Sequence, residues 1–359
     1  MLRAGLIGFP SSGKTTLFHL MTQTERGRRA ERARGGIPVG VSVVPDGRLE
    51  KLTTLFSPRK IVPATVEFID IVNRTGPQAQ FEVAPFRQCD ALLHVVRVFR
   101  EETVPHPSGS IDPLRDATAM EDELILADLS VVERRLDRIK RDMKKNDLVE
   151  LHAERVILER CKVTLENGTP LRTLSLESDT ARFLRGFQLL SAKPLLIVIN
   201  FDESDLPHRE RASEISPLNR FLSMAMTHSV DVCAKIELEI AELGPLEAQA
   251  FQTDLGLRES GLDRVIRASY KLLGYISFFT VGGDECRAWS IPHGTSAQTA
   301  ALGVHSDIAR GFIRAEVVDY NQLITRGSLI ACREHGEVRL EGKDYVINDG
   351  DVINFRFAT

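Results

Sequence analysis

The stretch "GLIGFPSSGKTTLFHLM", residues 5–21, decides the fold. Inside it, Gly8-Phe9-Pro10-Ser11-Ser12-Gly13-Lys14-Thr15 meets the pattern G-x-x-x-x-G-K-[ST] at every fixed position. Residues 4–8 ahead of it are apolar and read as a short buried strand. Residues 15–21 carry Leu17, Phe18, Leu20 and Met21 and read as a helix. A glycine-rich turn between such a strand and such a helix is a phosphate cradle. The glycines let backbone N–H groups converge on an anion, and the helix points its positive end at it. Lys14 is the candidate cation for the β- and γ-phosphates, and the Thr15 hydroxyl is the candidate Mg²⁺ ligand. Gly8, Ser11, Ser12, Gly13, Lys14, Thr15 and Thr16 are therefore the first candidate nucleotide-binding residues.

Further apolar runs of strand length lie at residues 64–72 ("ATVEFIDIV"), 90–99 ("DALLHVVRVF") and 194–203 ("PLLIVINFDE"). Strands separated by helical stretches imply parallel βαβ units. The segment "TERGRRAERARGG", with Arg26, Arg28, Arg29, Arg32 and Arg34, has no apolar face and is expected to be an exposed loop. Between the second and third runs, Ile125, Leu129, Val132, Leu136, Ile139 and Met143 recur at spacings of four and three, a heptad seam that calls for a helical partner. A weaker seam of Leu148, Leu151, Leu158 and Leu165, broken by Arg155 and Lys162, follows across a "KKND" turn. The pair predicts an antiparallel helical hairpin over 116–166. Seven cations in twelve residues (Arg134, Arg135, Arg138, Lys140, Arg141, Lys144, Lys145) are expected on its outer face. From about Phe278 onward, short β-like runs alternate with turn signals and predict a small sheet-rich domain, in which Trp289 is expected to be core.

With 359 residues, two or three domains are expected. Hydrophobic content of 43% and charged content of 27% are ordinary for globular chains, and a net charge of −4 gives no overall nucleic-acid footprint. The five cysteines form no C-x-x-C pair, which argues against a zinc ribbon or disulfide framework. No apolar run approaches the roughly 20 residues that span a bilayer, and no signal-peptide core is read at the start, so a cytoplasmic protein is expected.

Guanine-selective P-loop proteins carry N-K-x-D after a later strand. Here the place reads Asn200-Phe201-Asp202-Glu203, which weakens the guanine code and leaves Phe201 able to pack on a base.

At this point the chain resembles the Obg-like ATPase family of the YchF type, as a divergent member. The resemblance runs in order through "GFPSSGKTTLF", "VVPDGRLEKL", "SPRKIVPATVEFIDI", "DALLHVVRVF", "HPSGSIDPLRD", "ELILADLSVVERRL", "FQLLSAKPLLIVINFDE", "CAKIELEIAEL", "FFTVGGDECRAWSI", "GFIRAEVVDY" and "LEGKDYVINDGDVINFRF", nearly the whole chain. It implies an α/β fold: a P-loop NTPase domain with a mixed, mostly parallel sheet (residues 1–115 and 185–276), an inserted coiled-coil hairpin (116–184) and a C-terminal β-grasp-like TGS domain (277–359). It implies ATP and Mg²⁺ as cofactors, with K⁺ as an accessory ion, and the ribosome and its RNA as partner. By position it assigns Asn200, Phe201, Glu203, Cys233 and Ala234 to the base and Asp70 to the metal's water shell. It also assigns His106, in His106-Pro107-Ser108-Gly109-Ser110-Ile111-Asp112-Pro113, to positioning the attacking water alongside Lys14.

Two departures bear on turnover. The family's first-switch threonine is absent, with Arg34 near its place. The second switch, D-x-A-G in the family, reads Asp70-Ile71-Val72-Asn73 and is shortened. The expectation is thus an ATP-binding NTPase with slow or impaired hydrolysis, acting as a translation-associated switch. The alternatives are a binding-only scaffold and a GTPase.

Overall fold

The computed structural model describes residues 2–23, 28–32, 38–70, 84–146, 148–208 and 218–358. Contacts divide the chain into two compact units, Leu2–Val41 with Glu67–Leu272, and Ser42–Val66 with Leu273–Thr359.

The larger unit is built on a seven-stranded sheet in the order β2-β3-β5-β1-β6-β7-β8. Its strands are β1 (Arg3–Ile7), β2 (Arg28–Arg32), β3 (Pro38–Val43), β5 (Thr65–Asp70), β6 (Ala91–Arg97), β7 (Leu195–Asn200) and β8 (Thr227–Val232). β1 lies parallel to both β5 and β6, β6 to β7, and β7 to β8. Every residue of β6 and β7 is buried. That explains why both read as unbroken apolar runs rather than as alternating ones. The expected mostly parallel sheet is therefore present. One expectation needs correction. Residues 28–32, read as an exposed loop, form the edge strand β2, antiparallel to β3. Backbone pairing at a sheet edge does not need an apolar face, and charged residues are usual there.

The loop of residues 8–13 leads from β1 into helix α1 (Lys14–Gln23). Against one side of the sheet, Leu92, Val96, Ile197 and Ile199 pack with Ala117, Met120 and Leu124 of a long helix and with Leu218 and Phe221.

That long helix is α3 (Pro113–Met143), which starts three residues earlier than expected. Asp112 caps it, accepting the Arg115 N–H at 3.0 Å, and Pro113 occupies the first turn. Its partner is α4 (Val149–Glu166). The predicted seam is realised: Ile125, Val132 and Ile139 are buried, with Leu129, Leu136 and Met143 packed beside them. On α4 the seam runs through Leu151, Leu158, Cys161 and Leu165; Leu148 is the N-cap residue and 53% exposed. Cys161 is the seam residue the leucine spacing missed. Arg155 and Lys162 do not break the seam. They point outward and pair with Glu159 and with Glu133 and Glu166. Arg135, counted among the outward cations, instead crosses the hairpin to Glu154 at 2.6 and 2.7 Å.

The smaller unit carries a six-stranded sheet, β12-β11-β13-β9-β10-β4, and helix α2 (Gly47–Phe56). The strands are β4 (Lys60–Val62), β9 (Tyr275–Thr280), β10 (Glu285–Pro292), β11 (Phe312–Asp319), β12 (Arg339–Glu341) and β13 (Asp351–Phe357). β9 and β10 form a hairpin, β11 and β13 are antiparallel, and β13 runs parallel to β9. With the helix Ala297–Val304 packed on one face, this is a β-grasp-like arrangement. Residues 42–66, expected within the nucleotide domain, group with this unit because β4 pairs in parallel with β10 and Arg48 of α2 reaches Asp349 at 2.9 Å. Trp289 is partly buried against the core of this unit: the Phe278 ring stacks with it at 6.2 Å and the Arg287 guanidinium lies 3.9 Å from its ring. No described helix is long and apolar enough to cross a membrane.

Candidate nucleotide site

The phosphate cradle takes its shape from residues outside ordinary backbone space. Gly8 and Gly13 have φ of 142° and 96°, and Ser11, not a glycine, has φ of 62°. A Cβ on Gly8 would stand 2.5 Å from the Val95 carbonyl oxygen, so β6 passes too close for any side chain there. The Ser12 hydroxyl is buried and, among the described residues, makes no hydrogen bond. Lys14 is 8% exposed, and its ammonium donates to the Phe9 carbonyl at 2.7 Å. Burial pulls its pKa down to about 8, with Asp70 opposing the shift. Thr15 Oγ1 donates to Asp70 Oδ2 at 2.8 Å at the end of β5. A buried orphan hydroxyl, a buried cation short of acceptors and a hydroxyl–carboxylate pair are together what an Mg²⁺–phosphate group would complete. The residues present fit that group.

The second half of the site is a cavity of about 230 Å³ at the carboxyl ends of β6, β7 and β8, where ligands sit in open α/β sheets. Gly13, Thr16, Asn200, Phe201, Glu203, Cys233 and Ala234 all line it, so the predicted phosphate and base residues are brought together. Their roles separate. Asn200 Nδ2 donates to the Ser12 carbonyl at 3.0 Å and its Oδ1 accepts the Ala234 N–H at 3.1 Å. It fastens the loop to the turn of residues 233–235. Phe201 is 4% exposed and belongs to a small core with Leu206, Cys233 and Ile236. Glu203 stands at the rim, paired with Lys235 at 3.0 Å.

The opposite wall, Phe99, Arg100 and Glu101, was missed from sequence. Its signal was available, because these residues directly follow a buried parallel strand. Asp202 Oδ2 accepts the Arg100 N–H at 3.0 Å, which joins the two walls. Beneath them Arg97, 2% exposed, donates to the carbonyls of Ser11, Phe99 and Glu101 and lies 4.3 Å from the Phe99 ring.

His106 is not among the residues that line this cavity. Its Nε2 is 2.8 Å from Asp116 Oδ2 in the first turn of α3, and its Nδ1 accepts the Ser108 N–H at 3.1 Å. That pairing fixes the Nε2–H tautomer and engages both ring nitrogens. The second-switch residues from Ile71 to Asn73 and beyond, and Arg26 and Arg34 of the first switch, lie outside the described residues.

His94, on β6 opposite Ile7, is 2% exposed, and its Nε2 has no hydrogen-bond partner among the described residues. Burial, with Lys14 and Arg172 nearby, lowers its pKa to about 3. The unfolded imidazole binds a proton below about 6.5, whereas the folded one does so only near 3. The unfolded state therefore gains protons first, and stability falls as pH drops through that window. At pH 5 the loss is about 2 kcal/mol. His94→Leu is expected to remove that part of the acid sensitivity. Urea midpoints at pH 7.5 and pH 5 check it: an unchanged pH difference in the variant would exclude His94 as the source.

A family profile, YchF-GTPase_C, described as a protein of unknown function (DUF933), matches residues 275–358. The ribosome-binding ATPase YchF of Bacillus subtilis is 40% identical over 367 residues, covering 99% of each chain. The chain belongs to the YchF family. The ribosome-binding ATPases YchF of Pasteurella multocida and Escherichia coli O157:H7 are 37% and 36% identical over 371 residues, again with 99% of each chain covered. The solved structure of the Schizosaccharomyces pombe YchF GTPase matches with a TM-score of 0.84 at 28% identity, covering 99% of this chain and 97% of that one. The family and the α/β P-loop fold expected from the sequence are thus established. The YchF relatives span the hairpin and the β-grasp-like unit as well as the P-loop.

Proposed function

We propose that this YchF-family chain binds Mg²⁺-ATP and hydrolyses it slowly, as a ribosome-associated regulatory switch in the cytoplasm. The observation that carries the reading is the Thr15–Asp70 pair beside the buried Ser12 hydroxyl and Lys14. ATP, when bound, supplies the phosphoanhydride that is cleaved, and Mg²⁺ neutralises its phosphates. Thr15 and Asp70 would hold the metal. Lys14 and the N–H groups of the loop would hold the phosphates, and the walls at 99–101 and 200–203 the base. His106 would orient the water once the turn at 106–110 releases it from Asp116. The relatives' names support ATP and the ribosome as ligand and partner. The hairpin's exposed Arg134, Arg138, Lys140, Arg141, Lys144 and Lys145 suit RNA phosphates, and the C-terminal unit is read as a TGS domain.

The test is calorimetric titration of nucleotide-free protein with Mg²⁺-ATP and Mg²⁺-GTP, followed by turnover. ATP is expected to bind and GTP to bind weakly. Lys14→Ala is expected to weaken ATP by about 100-fold. His106→Ala is expected to lower kcat with KM kept. Binding with no turnover in the wild-type chain would mean a scaffold, and a preference for GTP would overturn the reading of the base walls.

A further inference from the structure

A second cavity, of about 570 Å³, opens at the other pole of the sheet, where β6 and β7 begin. Its walls are the turn at 84–88, the segment 171–176, the helix Ser178–Arg185 and the loop leading into β7. The volume falls within the range of small-molecule sites, and Leu171, Leu174, Leu184 and Leu189 make much of the lining. None of the nucleotide-site residues lines it.

Its charges are unbalanced. Arg87 and Arg172 also line it, but each is answered, by Asp128 at 3.2 Å and by Glu121. Lys193 and Arg185 are not: among the described residues neither forms an ion pair. The Lys193 ammonium donates only to the carbonyls of Arg87 (3.0 Å) and Cys89. Asp90 is the one carboxylate in the lining, and its Oδ2 accepts the Arg3 N–H at 2.9 Å. Burial lowers the Lys193 pKa and outweighs the favourable but more distant charges of Asp90 and Asp128, so the ammonium is left short of a direct counter-ion. Gln188, also in the wall, is held at φ of 51°, with its carbonyl accepting from Arg87 at 3.2 Å. Non-glycine residues in this region are uncommon and cluster at ligand sites.

We propose that this cavity is a binding site for a small amphipathic anion, with an apolar body among the four leucines and an acidic head at Lys193 and Arg185. The occupant is a monocarboxylate or sulfonate on an aliphatic or aromatic body. Bound there, it lies against Gln188 and Leu189, next to Leu190 and Ser191, whose N–H groups tie this segment to α3 through Asp128.

The experiment is a fluorescence titration of the full chain with 1-anilinonaphthalene-8-sulfonate, with and without saturating Mg²⁺-ATP, followed by displacement with decanoate and with decanol. One saturable site with a Kd of about 10–100 µM is expected, unaffected by ATP, with decanoate displacing the dye about tenfold better than decanol. Lys193→Met is expected to weaken decanoate by about tenfold, and Leu184→Trp to abolish binding by filling the space. Arg185→Ala, at an exposed position, is expected to weaken decanoate several-fold. Absence of a saturable site, equal displacement by decanol, displacement by ATP, or an affinity for decanoate that Arg185→Ala and Lys193→Met leave unchanged would each overturn the proposal.

Discussion

Asp128→Ala is expected to destabilise the larger unit by about 3–5 kcal/mol. Asp128 is fully buried on α3. It accepts the N–H groups of Leu190 and Ser191 at 2.9 and 2.7 Å, the Ser191 hydroxyl at 2.8 Å and Arg87 at 3.2 Å. Alanine would leave two buried backbone donors without their acceptor and take from Arg87 its carboxylate partner, leaving it the Gln188 and Ala127 carbonyls, each loss worth about 1–3 kcal/mol. The loss on breaking this cluster exceeds its net worth, because burial also raises the Asp128 carboxyl above the usual range, against the pull of its hydrogen bonds. Asp128→Asn should fall between, since one oxygen must become a donor facing other donors. Thermal and urea unfolding check the pair. A change below about 1 kcal/mol for alanine would mean that water replaces the carboxylate and that the joint is not closed.

Gly13→Ala is expected to weaken Mg²⁺-ATP by about 100-fold or more, close to the effect of losing Lys14. Gly13 sits at φ of 96°, and a Cβ there would overlap Asn200 Nδ2. Asn200 cannot withdraw without releasing both the Ser12 carbonyl and the Ala234 N–H. The substitution therefore disturbs the phosphate loop and the base wall in one step. Gly109→Ala is the control. Its φ is 75°, but nothing lies within 4 Å of the added carbon, so it should cost only about 1 kcal/mol of backbone strain and leave nucleotide affinity intact. Calorimetric titration of both variants separates the two contributions. ATP affinity in Gly13→Ala within a few-fold of wild type would show that the loop tolerates a side chain there.

Much of this was legible along the chain because the deciding interactions are local or periodic. The spacing of Gly8, Gly13, Lys14 and Thr15 encodes a loop whose backbone conformation the glycines themselves allow. The 4-3 spacing from Ile125 to Met143 encodes one stripe on one helix, so the seam appeared where it was expected. Strands buried on both faces announced themselves as unbroken apolar runs.

What the sequence left open depends on residues far apart that meet. Charges at 28–32 read as a loop, because a sheet edge is stabilised by a neighbour's backbone and not by its own pattern. Asn200 read as a base contact, but its two bonds run to residues 188 and 34 positions away. His106 read as a candidate for catalysis, and only the fold sets Asp116 against its ring. The grouping of 42–66 with the C-terminal strands rests on β4 meeting β10, whose paired residues lie 225 positions apart. The sequence by itself thus determined the phosphate loop, the hairpin and the family. The tertiary structure alone decided which polar groups are consumed by the fold and which, like the Ser12 hydroxyl, remain for a ligand. A hydrogen bond's partner is set by distance in space, which no local pattern records.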